Sequence, residues 1–248
     1  MAGHSKWSKI KRKKAANDAK RGANFTKLLK EIQVAAKMGG ADPAGNPRLK
    51  VAIQIAKSSS VPNDNIDRAI TKGAGNLDGV DYEDVLYEGY GPGGVAILVK
   101  TLTENRNRTV AEVRHAFNKY GGSLGSTNSV AYQFTDKGVF TLPKECVGEE
   151  QLYECAIDAG AEDLKDDGEC WEVICEPSLF GEVRDGLESL QVELEGELTS
   201  IPNNTVSVAG KEAETLIKLL EVLEDLDDVQ RVVANFELDE TTLENLDG

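Results

Sequence analysis

Apolar residues recur every three or four positions through the first part of the chain, which is the spacing of one face of an α-helix. The first stripe begins after Asn24 and stops at Gly39-Gly40, and its members are Phe25, Leu28, Leu29, Ile32, Ala35 and Ala36. Two shorter stripes follow, with Leu49, Ile53 and Ala56 in one and Ile66, Ala69 and Ile70 in the other. Three amphipathic helices with short connections predict a small helical bundle.

Beyond Leu77 the pattern changes to short apolar runs between glycine-rich and polar turns, which is typical of strands. Runs at 82–90 and 95–102 flank the loop Gly89–Gly94, and another strand is predicted at 130–134. Thr109 and Glu112 have the spacing of a capping box. This spacing predicts a helix from Thr109 to Tyr120.

A self-contained unit follows, with strands and helices predicted at 139–142, 149–159, 161–165, 169–176, 179–190 and 191–198. The order βαββαβ is that of a ferredoxin-like unit. A later strand, helix and strand (205–208, the helix around Leu216 and Leu220, and 229–236) have the pattern to complete the sheet that begins at Tyr82. The predicted fold is multidomain α+β: a basic three-helix domain at 1–77, an α/β domain at 78–135 and 201–248, and an inserted ferredoxin-like domain at 136–200.

Charge divides the chain into two parts of opposite sign. Residues 1–77 hold 16 Lys and Arg against 5 Asp and Glu, whereas the other 171 residues hold 12 basic and 38 acidic side chains. The whole chain of 248 residues has a formal net charge of −15. A basic module on an acidic protein is suited to contact a polyanion, and we expect nucleic acid. The alternative is that the two parts neutralise each other within the molecule.

The densest basic cluster, Lys9–Lys14, lies close to Trp7, whose ring offers a stacking surface for a base. Contacts of lysine and arginine with phosphates give affinity without reading sequence. The predicted nucleic-acid-binding residues of the helical part are Lys6, Trp7, Lys9, Lys11, Arg12, Lys13, Lys14, Lys20, Arg21, Arg48 and Lys50.

Two further motifs allow two interpretations each. Gly89–Gly94 has the letters of a dinucleotide-binding loop, but a strand follows it instead of a helix, which argues against that function. The loop is then either a plain hairpin turn or a contact surface that carries Tyr90. Arg106 and Arg108 lie at the start of a predicted helix, where free amides favour anions, so they form either a phosphate contact or salt bridges to neighbouring acids.

The sequence offers little support for catalysis or metal binding. The only histidines are His4 and His115, the cysteines at 146, 155, 170 and 175 lack zinc-ligand spacing, and no acid–base couple is evident. We expect no enzyme activity, cofactor, metal or small-molecule substrate, and free thiols in a reducing cytoplasm. No apolar run approaches the roughly 18 residues of a membrane span, so no membrane partner is expected.

Seven motifs occur in order: Met1–Trp7, Lys20-Arg-Gly with Phe25-Thr-Lys, Asn46–Leu49, Pro62–Ile66, Tyr87–Gly94, Asn105–Thr109 and Val113–Phe117. Together they resemble the YebC/PmpR family, densely to about Phe134 and more loosely, but colinearly, to the C-terminus. The resemblance implies a helical domain and two α/β domains, one inserted in the other. It also implies either DNA-binding transcriptional regulation or, as for the mitochondrial translational activator of cytochrome oxidase, action on the ribosome at proline-rich stretches.

We therefore expect a cytoplasmic, non-catalytic regulator of gene expression that binds nucleic acid, with transcriptional regulation on DNA as the first interpretation. No helix resembles the base-reading helix of a known dimeric motif, which argues against tight sequence specificity. The alternative is a ribosome-associated translation factor that binds ribosomal RNA and relieves stalling at proline-rich stretches. An enzyme acting on phosphorylated small molecules, dependent on Arg106 or Arg108, ranks last.

Overall fold

The computed structural model describes residues 18–75, 82–168 and 170–238, with side chains from Asn24 onward. Three helices come first: α1 (Asp18–Gly39), α2 (Pro47–Ser58) and α3 (Asn63–Ala74). The next elements are β1 (Glu83–Tyr90), β2 (Ala96–Thr103), α4 (Arg106–Lys119), β3 (Ser123–Leu124), β4 (Phe134–Pro143), α5 (Glu149–Asp158), β5 (Asp163–Asp166) and β6 (Cys170–Cys175). The last are α6 (Phe180–Glu188), β7 (Glu195–Pro202), β8 (Val206–Val208), α7 (Gly210–Glu224), β9 (Val229–Ala234) and β10 (Phe236–Leu238).

These elements form two compact units. One comprises the described residues of 18–27, 82–135 and 201–238, and the other those of 28–75, 136–168 and 170–200. Helices precede the strand-containing parts, so the predicted multidomain α+β fold class is confirmed. The division into three domains, with its boundaries, stays a prediction. None of the described helices has the length and apolar character needed to cross a bilayer.

The first helices pack through small side chains. Ala36, Ala56 and Ala69 are buried, as the apolar stripes predict. Gly73 of α3 touches α1 so closely that a Cβ at this position would lie 2.2 Å from the carbonyl oxygen of Gln33. Only glycine fits there, because any side chain would push the two helices apart.

Asn46 joins the end of α1 to the start of α2. Its buried side-chain amide donates to the carbonyl oxygens of Ala35 at 2.7 Å and Gly40 at 2.9 Å. Its Oδ1 accepts the backbone N–H of Leu49 at 3.1 Å, which caps α2. The Asn46–Leu49 motif therefore has a structural role in the turn between two helices.

The first unit is built on a sheet with the strand order β3-β1-β2-β9. β1 pairs antiparallel with β2, from Glu83 opposite Thr103 to Tyr90 opposite Ala96, and β9 pairs antiparallel with β2 on the other side. Helices α4 and α7 supply the apolar side chains that pack with the sheet, including Phe117 and Leu216. The pairing of β9 with β2 joins segments on either side of residues 136–200, which is consistent with an insertion.

The predicted strand at 229–236 is two strands in the structure. β9 ends before Asn235, whose buried Oδ1 accepts the N–H of Ala96 at 2.7 Å and whose backbone N–H donates to the carbonyl of Ala96 at 3.1 Å. β10 then pairs in parallel with β8 in a separate two-stranded sheet. The strand at 206–208 therefore does not join the sheet that begins at β1.

In the second unit, the sheet has the strand order β7-β4-β6-β5. With α5 after β4 and α6 after β6, this is the ferredoxin-like arrangement that the pattern predicted. Its core includes Leu152, Leu187 and the stacked rings of Phe140 and Phe180, whose centroids lie 4.6 Å apart. Val51 of α2 packs against the same cluster.

Two predicted boundaries and one predicted strand were wrong. Helix α4 begins at Arg106, not Thr109, because Asn105 is the capping residue and accepts the N–H of Arg108 at 3.1 Å. Residues 131–133 form a 3₁₀ turn instead of a strand, because the N–H groups of Val130 and Ala131 bind a carboxylate. The last ferredoxin-like strand spans Glu195–Pro202 instead of 191–198. Gln191, with φ of 56°, follows the end of α6, and the next residues pack against the core before the strand starts.

Candidate nucleic-acid interface

The densest part of the predicted interface lies outside the described residues. This applies to Lys6, Trp7, Lys9, Lys11, Arg12, Lys13 and Lys14. Lys20 and Arg21 lie near the start of α1, where the backbone is described and the side chains are not.

Helix α2 carries three basic residues and no acidic residue. Lys50 and Lys57 are exposed, whereas Leu49 and Ala56 are buried, so the cations lie off the packed face. Arg48 is held by Glu31 of α1, with Nε 2.7 Å from one carboxylate oxygen and Nη2 3.1 Å from the other. This two-point pairing neutralises Arg48 locally, so Lys50 is the better placed of the two predicted phosphate ligands.

Tyr90 is half-buried and its hydroxyl donates to the carbonyl of Ser129 at 3.1 Å. Its ring packs against a small cluster that includes Leu98 and Val130. Gly93 has φ of 72°, and a Cβ there would lie 2.7 Å from Cγ1 of Val208. Of the two interpretations of the Gly89–Gly94 loop, the geometry favours a closely packed hairpin turn.

Arg108 contacts the buried carboxylate of Asp228. Its Nη2 lies 2.7 Å from Oδ2, and the same oxygen accepts the hydroxyl of Thr109 at 2.8 Å and that of Thr103 at 3.1 Å. The hydrogen bond and the charge of Asp228 raise the pKa of Arg108 above its usual value. Of the two interpretations of Arg108, the geometry therefore favours a structural salt bridge over a phosphate contact.

Arg106 occupies the first position of α4 and is exposed. Within the described part of the chain its guanidinium makes no hydrogen bond or ion pair, while its carbonyl oxygen accepts the hydroxyl of Tyr87 at 3.4 Å. Burial raises the pKa of Tyr87, although the charge of Arg106 opposes the shift. Arg106 thus combines a helix N-terminus with an available positive charge, as an anion contact requires.

Glu88 is a buried carboxylate whose role the sequence pattern did not reveal. Its two oxygens accept the backbone N–H groups of Asn128 at 2.7 Å and of Val130 and Ala131 at 2.8 Å each. Burial acts to raise the pKa of Glu88, but hydrogen bonds from the backbone at residues 128–131 outweigh it, and the pKa is lowered. The available signal was a charged residue inside a predicted strand, within the Tyr87–Gly94 motif.

Two family models match consecutive parts of the chain. The model of the TACO1/YebC N-terminal domain matches residues 5–76, and that of the TACO1/YebC second and third domains matches residues 82–236. The chain belongs to the TACO1/YebC family.

Close relatives support membership along the full length. A protein of Sulfurihydrogenibium sp. is 53% identical over 100% of both chains, and one of Geobacter sulfurreducens is 52% identical over 99% of this chain and 100% of its own. Both are named "probable transcriptional regulatory protein". A conserved hypothetical protein of Aquifex aeolicus, known from a crystal structure, is 49% identical, with a TM-score of 0.81 over 90% of this chain and 93% of that one.

For this TACO1/YebC protein, the described residues show no group of three His, Cys, Asp or Glu side chains arranged to hold a metal ion. The four cysteines are free thiols. Cys175 is buried, and burial raises its pKa to about 11, which keeps the thiol protonated and unreactive at neutral pH.

Proposed function

We propose that this TACO1/YebC protein is a non-catalytic regulator of gene expression that binds nucleic acid through its basic N-terminal part. The observation that carries the proposal is the sign of the charge: 16 basic against 5 acidic residues up to Leu77, in a protein of net charge −15. In the described helices, the exposed Lys50 and Lys57 continue this positive character on α2. Close relatives named as probable transcriptional regulatory proteins support DNA as the first target.

The proposed binding is directed at phosphates instead of base edges. Lysine and arginine clusters release counterions from a polyphosphate, so the affinity depends strongly on salt and weakly on sequence. Lys6, Lys9, Lys11, Arg12, Lys13, Lys14, Lys20, Arg21 and Lys50 are the proposed phosphate ligands, and Trp7 the stacking residue. Arg106 is the proposed second contact, because its guanidinium is exposed at a helix N-terminus.

A second candidate target is ribosomal RNA in a translating ribosome. It is favoured by helix α5, which carries Glu149, Glu150, Glu154 and Asp158, all exposed, and no basic residue. Such a face repels a bare polyphosphate and complements the basic proteins that accompany ribosomal RNA. Transcriptional and translational roles share the basic module and differ in its physiological polyanion.

The first experiment tests the shared module. Binding of duplex DNA and of a ribosomal RNA fragment is measured across a salt series for the wild type and for a variant with Lys9, Lys11, Arg12, Lys13 and Lys14 replaced by Gln. We expect the magnitude of the slope of log K against log salt to fall by about 4.5 for the duplex, since five phosphate contacts are lost at roughly 0.9 each. Unchanged affinity at physiological ionic strength would refute the proposal.

A matched pair of double variants controls for net charge. K50Q/K57Q removes two exposed cations from α2, and K211Q/K218Q removes two exposed cations from α7. We expect only the first pair to weaken binding. Footprinting on promoter DNA and co-sedimentation with ribosomes then separate the two targets, and a protein that does neither contradicts both.

A further inference from the structure

Two long stretches of this highly charged chain contain no charged residue. They are Tyr120–Thr135 and Leu198–Gly210, in a protein in which 29% of residues are Asp, Glu, Lys or Arg. Surface segments of an acidic protein normally carry acids, because these keep them solvated. The absence of charge over 16 and 13 consecutive residues therefore calls for a physical explanation.

The structure joins the two stretches through Asn203. Its backbone N–H donates to the carbonyl of Gln133 at 2.8 Å, and its side-chain amide donates to the carbonyl of Tyr132 at 3.3 Å. Its Oδ1 accepts the hydroxyl of Thr135 at 2.8 Å. The amide of Asn235 donates to Oε1 of Gln133 at 3.1 Å. The segment 132–135 is therefore held by hydrogen bonds from both Asn203 and Asn235.

Tyr132 lies in the first of these stretches, next to the contacts of Asn203, and 70% of its surface is exposed. Its ring is absent from the buried clusters, in contrast to that of Tyr90, and its hydroxyl lies 3.5 Å from Nε2 of Gln133. The backbone beneath the ring is held firmly, because Glu88 binds the N–H of Ala131 while Asn203 binds the carbonyl of Tyr132. An exposed aromatic ring on a fixed backbone loses little conformational entropy when a ligand stacks on it.

The polar loop 125–128 lies beside the same segment. One carboxylate, that of Glu88, accepts the N–H of both Asn128 and Ala131, so these two backbone positions are neighbours. Asn128 and Thr127 are exposed, and Asn128 has a left-handed φ of 63°. Hydroxyl and amide groups beside an aromatic ring are the groups that hydrogen-bond to the edges of an unstacked base.

From this arrangement we propose that Tyr132 is the stacking residue of a binding site for an unpaired base of single-stranded RNA or DNA. The ring stacks on the base, and neighbouring amides and hydroxyls contact its edge. Residues 120–135 and 198–210 add no acid of their own to this surface. The carboxylates that contact their side chains include those of Asp136 at Ser200 and Glu237 at Thr205. A phosphate chain therefore meets fewer negative charges here than on an acidic face such as that of helix α5. The inference rests on the proposed function for its ligand class, because the basic N-terminal part supplies the phosphate contacts.

The surroundings of Tyr132 favour a base over a protein partner. Protein-binding hot spots place an aromatic residue within an apolar patch that excludes water. Tyr132 instead has polar neighbours: Gln133 lies near its hydroxyl, Asn203 binds its carbonyl oxygen, and Thr135 binds Asn203. A duplex also fits poorly, because its bases are already stacked on each other.

The test uses the full chain and a single-stranded oligonucleotide of about 12 residues that carries one 2-aminopurine, whose fluorescence is quenched on stacking. Tyr132→Ala is expected to lower the affinity on the order of 10- to 100-fold and to abolish the quenching. Tyr132→Phe, which keeps the ring, should stay within about twofold of the wild type. Tyr153→Ala is the matched control, because Tyr153 is 55% exposed on the acidic helix α5.

The outcomes separate this inference from the function on which it rests. If the wild type binds with the expected salt dependence and Tyr132→Ala binds and quenches like it, the stacking site is refuted and the basic module is retained. If Tyr132→Ala weakens a duplex as much as a single strand, the specificity for unpaired bases is refuted. If the wild type binds no nucleic acid, both proposals fall, and a protein partner becomes the occupant of this surface.

Discussion

The helical region at 24–75 and the sheet around β1 and β2 differ in where their charged residues lie. In the helical region the buried positions are occupied by apolar side chains and one amide, Asn46, while Lys50 and Lys57 remain exposed. In the sheet unit, Glu88 and Asp228 are buried and bound by several donors. Lys50 and Lys57 of the first region are exposed to a ligand, whereas Glu88 and Asp228 of the second hold the fold together.

Because of this difference, two of the distinctive sequence motifs have a structural role instead of a ligand-binding one. Tyr87–Gly94 and Asn105–Thr109 have the composition of ligand-binding loops, yet Glu88 binds the backbone at 128–131 and Arg108 binds Asp228. A buried carboxylate must be satisfied in this way, because an unpaired one costs several kcal/mol. A charged motif therefore indicates a ligand only where its side chain is exposed and is not already bound within the fold.

The largest expected effect is at Glu88. We predict that Glu88→Gln destabilises the protein by about 4 kcal/mol, because an amide replaces a carboxylate that accepts three backbone N–H groups and turns two donors towards them. Urea denaturation measures the free energy of unfolding. Glu83→Gln on the same strand is the control and should be neutral, because Glu83 is exposed. Equal stability of the two variants would refute a structural role for Glu88.

A smaller effect is expected where α1 and α3 touch. We predict that Gly73→Ala costs about 2 kcal/mol, because its Cβ collides with the carbonyl of Gln33 and the helices must separate. Thermal unfolding followed by circular dichroism tests this. Gly45→Ala, whose Cβ would lie 3.9 Å from its nearest neighbour, should change the stability little. A neutral Gly73→Ala would mean that the helices do not approach so closely.

The two arginines at the start of α4 provide a direct test of the comparison. Arg108→Ala should lower Tm, because it removes the guanidinium that contacts the buried Asp228, and should leave nucleic-acid affinity unchanged. Arg106→Ala should leave Tm unchanged and reduce the slope of log K against log salt by about 1. Calorimetry and binding at several salt concentrations measure both effects. The opposite pattern would assign the phosphate contact to Arg108.

The smallest expected effect is a dependence of the stability contributed by Glu88 on pH. The pKa of Glu88 lies below its ordinary value of 4.5, so the folded state favours the ionised carboxylate. Its contribution to stability is complete above the pKa of the unfolded chain and is lost as the pH falls through the lowered pKa. The difference in free energy of unfolding between the wild type and Glu88→Gln should therefore be constant from pH 7 to about 5 and shrink below 4.5. A constant difference down to pH 3 would contradict this assignment.

Periodicity predicted most elements of this fold, and the errors have identifiable causes. The buried positions Ile32, Leu49 and Ile66 follow from apolar spacing of three and four. The start of α4 was missed because Asn105 and Thr109 are both good capping residues, and only the buried hydrogen bonds of Thr109 show that it lies inside the helix. The turn at 131–133 was missed because its cause, Glu88, lies more than 40 residues earlier.

By itself the sequence determined the fold class, the family and the opposite charges of the two parts of this protein. These properties depend on composition and on the spacing between near neighbours in the chain, and both can be taken directly from the sequence. Only the tertiary structure decided which charged side chains are already paired and which aromatic rings are packed: Arg108 binds Asp228 and Tyr90 packs against Leu98, in contrast to Arg106 and Tyr132. Such contacts join residues far apart in the chain, such as Asp228 and Arg108, so no local pattern can reveal them.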